Sequence, residues 1–361
     1  MKDYDYLIIG AGPAGSYLAE KLASKGFKVG LSDKKRVIGK PIQCTGLVTK
    51  ELEKYVSVKE DYVKNVTHKI NLFSKNDSIT LKSKEYVIDR FEFDTYLLKK
   101  AENAGAEIML GNEFKGQKNG NIILSKNNFK TKNLIGCDGP ASQVNKCFNI
   151  IKGMKYFLGK QYVIKIKNNP EAYNVYFDEF FHDFFAWSVP AAKNISRIGV
   201  ASKDNDSINK KLKYFMDSRK IKGKIIETNA GLIPVFNPFN SNYSKTKDLN
   251  IYLFGDASGL VKATTGGGII PAFKSINESM KSIILGKKPL LFGLKKELTF
   301  HLLAHKMMCK FKDKDYDSIL NDAKSISVKK SLEKLNRDNF ASLAVDIFMK
   351  NPKLIKYFKL C

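Results

Sequence analysis

Six residues near the start of the chain, Gly10-Ala11-Gly12-Pro13-Ala14-Gly15, have the spacing with which a backbone wraps a pyrophosphate. They follow an apolar run, Tyr6-Leu7-Ile8-Ile9, that reads as a buried parallel strand. They precede residues 16–25, where Leu18, Leu22 and Ala23 fall at helical spacing. Gly26 ends that helix, residues 27–32 read as a second strand, and Asp33 stands at its end. In such a βαβ unit Gly10 permits the tight turn, Gly12 lets the backbone approach phosphate, and Gly15 lets helix and strand pack closely. The helix N-terminus adds N–H donors and partial positive charge. Asp33 is placed to accept hydrogen bonds from adenosine ribose hydroxyls. The motif by itself leaves nicotinamide and flavin dinucleotides both open.

Later landmarks narrow the choice. Leu134-Ile135-Gly136-Cys137-Asp138-Gly139 and Ile251-Tyr252-Leu253-Phe254-Gly255-Asp256 are apolar strands, each ending in an acid beside glycine. A short acid there can accept from the hydroxyls of a ribityl chain while the bare backbone comes close. Thr264-Thr265-Gly266-Gly267-Gly268-Ile269 then leads into a helix over about 271–285. Its unencumbered N–H groups suit a phosphate or the negative charge that develops on a reduced flavin. Arg90 opens another helical stretch, and Pro41 to Gly46 form a loop that contains Cys44.

With these motifs the sequence resembles the flavoproteins built on a glutathione-reductase-like FAD domain, in the branch shared with aromatic hydroxylases. Within that branch it resembles the geranylgeranyl reductases, specifically the archaeal enzymes that saturate digeranylgeranylglycerophospholipids. The narrower signals are Cys44-Thr45-Gly46, the run Phe185-Ala186-Trp187-Ser188-Val189-Pro190, and residues 262–269. The chain departs from the family pattern at Asp33 (often glutamate), Phe185 (usually tyrosine), Val189 (usually aromatic) and Ala263 (commonly proline). The resemblance covers nearly the whole chain and weakens after about residue 290. It implies FAD as cofactor, with Ala14 and Gly15 at the pyrophosphate and Asp33 at the ribose. It places Cys44 and Gly46 beside the isoalloxazine, Arg90 at the phosphate or ribityl region, and a backbone contact from Phe114 at adenine. It further places Asp256 at the ribityl or phosphate oxygens, with Gly268 and Ile269 near the flavin N1/O2 edge. Cys44 and Trp187 are the implied residues next to the reacting centre.

Positioning these groups calls for an α/β fold with a Rossmann-type FAD domain, an inserted mixed β-sheet substrate domain of the aromatic-hydroxylase kind, and a helical C-terminus. The expected boundaries are 1–67, 88–150 and 245–289 for the FAD domain, 68–87 and 151–244 for the substrate domain, and 290–361 for the helical region. Residues 156–201 are strand-rich, and aromatics are dense between Tyr173 and Trp187. A sheet with such an inner face makes an apolar tunnel suited to an isoprenoid chain. The expected activity is FAD-dependent saturation of C=C bonds in the geranylgeranyl chains of membrane lipid precursors. A flavin monooxygenase of the aromatic-hydroxylase type is the rival. No second dinucleotide fingerprint follows residue 35, so an external electron donor is expected, whether NAD(P)H, ferredoxin or a deazaflavin.

Sixty-two Lys+Arg against 36 Asp+Glu give the 361-residue chain a net charge of +26. Only Arg36, Arg90, Arg197, Arg219 and Arg337 are arginines, which argues against base reading in nucleic acid and leaves an anionic membrane surface as a partner. Lys295, Lys296, Lys306 and Lys310 are the expected contacts, flanked by Leu and Phe. No apolar stretch is long enough to span a bilayer and no secretory leader is evident, so a cytoplasmic protein peripheral on the inner membrane surface is expected. The five cysteines lack CxxC spacing and read as free thiols. His301, His305 and Cys309 share one helix face, but no fourth ligand accompanies them, and no metal site is assigned.

Overall fold

Tyr6–Ile9 lies between two parallel partners, with Tyr6 opposite Val29 and Leu7 opposite Leu134. The computed structural model describes residues 2–204 and 206–334, and the rest of the expected C-terminal region lies outside the described residues. The six-stranded sheet runs in the order Tyr243–Lys245, Asn250–Leu253, Asn133–Gly136, Tyr6–Ile9, Val29–Asp33, Glu107–Leu110. All pairs are parallel except the one made by Tyr243–Lys245. Alternation along the first apolar strand explains the layering. Tyr6 and Ile8 enter a core with Leu18, Leu22, Phe93, Leu97, Phe273 and Ile276, from the helices Pro13–Ala23, Arg90–Asn103 and Ile269–Ile284. Leu7 and Ile9 point the other way, into a second core with Phe114, Ile122, Leu124 and Phe129. That second core is closed by a four-stranded sheet ordered Lys2–Tyr4, Asn128–Thr131, Asn121–Leu124, Phe114–Lys118.

From Tyr6–Ile9 the chain builds outward on one side through Val29–Asp33 and Glu107–Leu110, then returns to add Asn133–Gly136 and Asn250–Leu253 on the other. The order therefore reverses between Tyr6–Ile9 and Asn133–Gly136, and a ligand crevice forms beyond the strand ends at such a point. Gly10 stands there with φ +103°, and a Cβ on it would lie 2.3 Å from the Cys137 carbonyl oxygen, so only glycine lets the two strand ends come this close.

The second large sheet has eight strands in the order Lys224–Pro234, Tyr156–Lys165, Ile195–Ser202, Ala186–Ala192, Ala172–Tyr176, Val63–Phe73, Ser78–Ile88, Leu47–Thr49. It is antiparallel apart from the pair Ala172–Tyr176 and Val63–Phe73. Phe157, Trp187 and Val189 face an inner core, whereas Ala186, Ile198 and Val200 face the helix Ile208–Ser218 through Leu212 and Phe215. The expected boundaries at 67/68 and 87/88 cut through this sheet. Leu47–Thr49 and the start of Val63–Phe73 are hydrogen-bonded strands of it, because the hairpin pairs along its whole length. Beyond residue 290 the helices Phe292–Met308, Asp313–Ala323 and Ile326–Lys334 follow. Among the described residues, no helix is long and apolar enough to cross a membrane.

Candidate active site

A cavity of about 630 Å³ occupies the crevice. Its walls include Gly10, Gly12, Ala14, Asp33, Cys44, Arg90, Phe114, Asp138, Asp256, Gly268 and Ile269. The helix Pro13–Ala23 begins after Gly12 without a side-chain cap, and a Cβ built on Gly12 would meet nothing within 4 Å. The first turn thus offers backbone N–H groups to open space, as a pyrophosphate requires. Asp33 is aimed by two backbone donors: Ala11 N–H of the glycine-rich turn donates to Oδ2 and Lys35 N–H to Oδ1, each at 2.8 Å. The remaining lone pairs can accept from a ribose.

Arg90 opens its helix and holds Asp94 by two hydrogen bonds of 2.9 Å, with Cys44 in the same cavity wall. Burial works against the guanidinium charge, but Asp94 and Cys44 outweigh it and the pKa is raised. The Asp256 carboxylate accepts no side-chain hydrogen bond among the described residues. Burial raises its pKa, and Arg90 opposes the rise. A cradle of bare glycine backbone, one acid at each end and a cation between them fits FAD.

A second cavity, of about 380 Å³, opens under the eight-stranded sheet. Its wall is largely apolar and aromatic: Ile70, Leu72, Phe177, Phe184, Phe185, Trp187, Val189 and Met308. Gln43, Cys44, Ile233 and Gly266 line both cavities, so the two meet at the loop carrying Cys44. That loop is held tightly. Gly46 N–H donates to Cys44 Sγ at 3.3 Å, and Arg197 Nη1 donates to the carbonyls of Thr45 at 2.5 Å and Ile88 at 3.0 Å. Gln161, buried in the strand Tyr156–Lys165, is the hub. Its Nε2 donates to the Cys44 and Asn229 oxygens at 3.3 Å each, and its Oε1 accepts from Thr45 at 2.9 Å and Trp187 Nε1 at 3.4 Å.

Most of the residues expected from sequence are brought together, with three refinements. Gly15 does not line the cofactor cavity but packs on Gly10, whose carbonyl oxygen would lie 1.8 Å from an added Cβ. Gly46 lines the apolar cavity instead, with φ +73°. Asp138 reaches the cofactor cavity wall, yet its carboxylate accepts from Ser142 Oγ, Gln143 N–H and Val144 N–H, so it anchors the start of the helix Gln143–Phe148. His301 Nδ1 contacts Thr264 Oγ1, His305 Nε2 contacts the Asp183 carbonyl at 3.0 Å, and Cys309 Sγ lies 3.6 Å from His305 Nε2. Gln161, Asn229 and the Thr264–His301 contact escaped the sequence reading. A lone buried glutamine in an apolar strand was the available signal for the first.

Residues 3–175 match the model of the FAD binding domain. The chain is 28% identical to the digeranylgeranylglycerophospholipid reductase of Methanosarcina acetivorans, over 98% of this chain and 95% of that one. It is 26% identical to the enzyme of the same name from Methanocaldococcus jannaschii, over 99% and 97%. In three dimensions it is similar to a geranylgeranyl bacteriochlorophyll reductase-like protein from Thermoplasma acidophilum, with TM-score 0.82, 20% identity and full coverage of both chains. It is also similar to p-nitrophenol 4-monooxygenase from Pseudomonas putida, with TM-score 0.69 and 12% identity over 95% of this chain and 99% of that one.

Proposed function

We propose that the chain, which is similar over nearly its whole length to digeranylgeranylglycerophospholipid reductases, saturates isolated C=C bonds in the geranylgeranyl chains of archaeal membrane lipid precursors. One observation carries this reading: a cavity lined by bare glycine backbone, Asp33, Arg90 and Asp256 meets an aromatic-walled apolar cavity at Cys44. Reduced FAD supplies a hydride equivalent to one olefinic carbon. The chain's own part is to bind, orient and keep the site dry. Gly12, Ala14 and Asp33 hold the adenosine pyrophosphate half, and Arg90 and Asp256 face the ribityl region. Phe184, Phe185, Trp187 and Val189 keep water from the prenyl chain. Cys44, held by Gly46 and Gln161, presents its thiol where cofactor and substrate meet. An external donor, NAD(P)H, ferredoxin or a deazaflavin, provides the reducing equivalents.

A substrate with two long chains and an anionic head is collected at a bilayer. Exposed apolar side chains cluster where attachment would occur: Phe239 is 93% exposed, Phe292 78% and Leu290 65%. Lys295, expected at this surface, is turned inward and donates to the carbonyls of Asn240 at 2.7 Å and Pro238 at 3.3 Å. It ties the turn bearing Phe239 to the helix that starts with Phe292. Lys287, Lys288 and Lys296 stay exposed nearby.

The test is anaerobic incubation with dithionite and an unsaturated archaeal ether lipid, followed by mass spectrometry. Gains in multiples of two mass units are expected. No gain, together with oxygen uptake on an aromatic substrate, would move the chain to the monooxygenases.

A further inference from the structure

We propose that Thr264 and His301 deliver the proton that completes saturation, a step that rests on the reductase reading above. Thr264 Oγ1 and His301 Nδ1 lie 2.6 Å apart, and both residues line the apolar cavity. His301 is 1% exposed and projects from the helix Phe292–Met308, one helical face with Met308, which lines the same cavity. On its far side, Glu297 Oε1 lies 3.6 Å from His301 Nε2. Nδ1 is thus within hydrogen-bond distance of the hydroxyl, while Nε2 faces the Glu297 carboxylate at ion-pair rather than hydrogen-bond distance.

The placement of Thr264 gives this pair its direction. From Thr264 the chain passes through Gly266, which borders both cavities, to Gly268, which lines the cofactor cavity. The hydroxyl thus enters the apolar cavity on the side where that cavity meets the cofactor. In a largely apolar wall, a threonine and a buried histidine at hydrogen-bond distance form a proton-carrying path that needs no bulk water at the reacting carbon.

The step balances as follows. Bound reduced FAD would supply the hydride for the first C–H bond, at one olefinic carbon. The π pair forms the second C–H bond, at the neighbouring carbon, with the proton leaving the Thr264 hydroxyl. The hydroxyl is restored by the proton on His301 Nδ1, and the imidazolium becomes neutral imidazole. Solvent reprotonates the ring between turnovers. Thr264 is the catalytic residue; His301 acts through it and positions and recharges it. Glu297 and His305 stand one turn to either side of His301 on its own helix, and Lys262 lies two residues before Thr264 in the chain.

Three variants separate chemistry from packing: Thr264→Val, which removes the hydroxyl at constant shape, Thr264→Ser, which restores it, and His301→Gln. The expected results are unchanged FAD content and unchanged dithionite reduction of the flavin in all three. Lipid saturation falls about 100-fold or more in Thr264→Val and His301→Gln, the scale of a lost general acid, and returns towards wild type in Thr264→Ser. The wild-type saturation rate declines as pH rises and the imidazolium is lost, and His301→Gln lacks that limb. A readout independent of turnover comes from 15N-histidine NMR of the cofactor-free protein, which has only 4 histidines: Thr264→Val shifts the His301 Nδ1 resonance. Wild-type saturation with full rates and an unaltered pH profile in Thr264→Val and His301→Gln overturns the proposal, as does an unmoved His301 resonance. Failure of the wild-type protein itself to saturate lipid overturns the reductase reading instead.

Discussion

Trp187 donates its indole N–H to Gln161 Oε1 across 3.4 Å. The same glutamine reaches the Cys44 carbonyl through its other end, so one buried amide ties the aromatic wall to the loop at the cofactor. Beneath them, a Cβ on Gly199 would lie 2.5 Å from the Trp187 ring and 2.7 Å from Gln161 Cβ, which leaves the pair a single seat. Gln161→Leu strands the indole N–H, the Thr45 hydroxyl and the Cys44 carbonyl. A cost of about 1–3 kcal/mol is expected for buried groups left unsatisfied. A urea midpoint equal to that of wild type would show that the amide is no anchor.

Gly12 and Gly15 should fail in different ways. A side chain on Gly12 enters open space in the cofactor cavity, so Gly12→Val folds normally but is purified colourless. A side chain on Gly15 strikes the Gly10 carbonyl oxygen at 1.8 Å, a backbone atom that cannot step aside, so Gly15→Val loses the fold. Flavin absorbance and circular dichroism distinguish the two. A yellow Gly12→Val protein contradicts the assignment of this wall to the pyrophosphate.

The contrast explains what the sequence could reveal. Gly10 to Gly15, Asp33 and the strand-end acids sit at fixed places in strand–turn–helix units or at strand ends, and local spacing encodes such placement. Gln161 and Cys44 are joined across 117 residues, and Thr264 and His301 across 37; no periodicity announces either pair. The strand Lys224–Pro234 went unread because it lies at the sheet edge with most of its side chains exposed, so it lacks the alternation that marks a half-buried strand. Asp138 looked like a polyol ligand by its place at a strand end, but only the fold shows its oxygens engaged by the following helix. Lys295 looked like a surface charge for the same reason: a helical pattern does not tell where a long side chain bends.

Cys44→Ser keeps the size of the side chain near the junction but removes the thiol. FAD should remain bound, since the cradle rests on backbone, Asp33 and Arg90. Saturation should fall about tenfold or more, at the lower end of what a lost acid–base group costs or below it. Single-turnover lipid assays on the yellow protein measure this, and full turnover would reduce Cys44 to a packing residue.

Asp256 links cofactor binding to pH. Its folded pKa is raised from 3.8 by burial, so between that value and the raised one the native state binds more protons than the unfolded chain. Stability of the cofactor-free protein therefore falls as pH rises through that window. Asp256→Asn removes the buried charge. The cofactor-free variant should be more stable than wild type at neutral pH, with the gap closing as pH drops to the ordinary carboxylate range, while its hold on FAD weakens. Thermal melts across pH check the first part and flavin retention the second. A gap that widens on acidification would contradict the burial argument.

The membrane surface is the last point open to experiment. Between Glu278 and Glu297 the chain carries Lys281, Lys287, Lys288, Lys295 and Lys296 and no acidic residue. With Lys295 turned inward, Lys287, Lys288 and Lys296 are left to meet anionic head groups, each worth about 1 kcal/mol near such a surface. Phe239 and Phe292 stand exposed beside them, and each adds about 1.5–3 kcal/mol if fully buried among acyl chains. Charge and apolar contact therefore contribute on similar scales, and neither alone should hold the protein. Co-sedimentation with anionic liposomes is expected, with weak binding to neutral ones and release as salt screens the lysines. The Phe239→Ser, Phe292→Ser double variant should weaken partition about tenfold or more while saturating detergent-dispersed lipid at the wild-type rate, because neither ring lines the cofactor cavity or the apolar cavity. Unchanged partition of that variant, or equal binding to neutral and anionic vesicles, would detach this patch from the membrane.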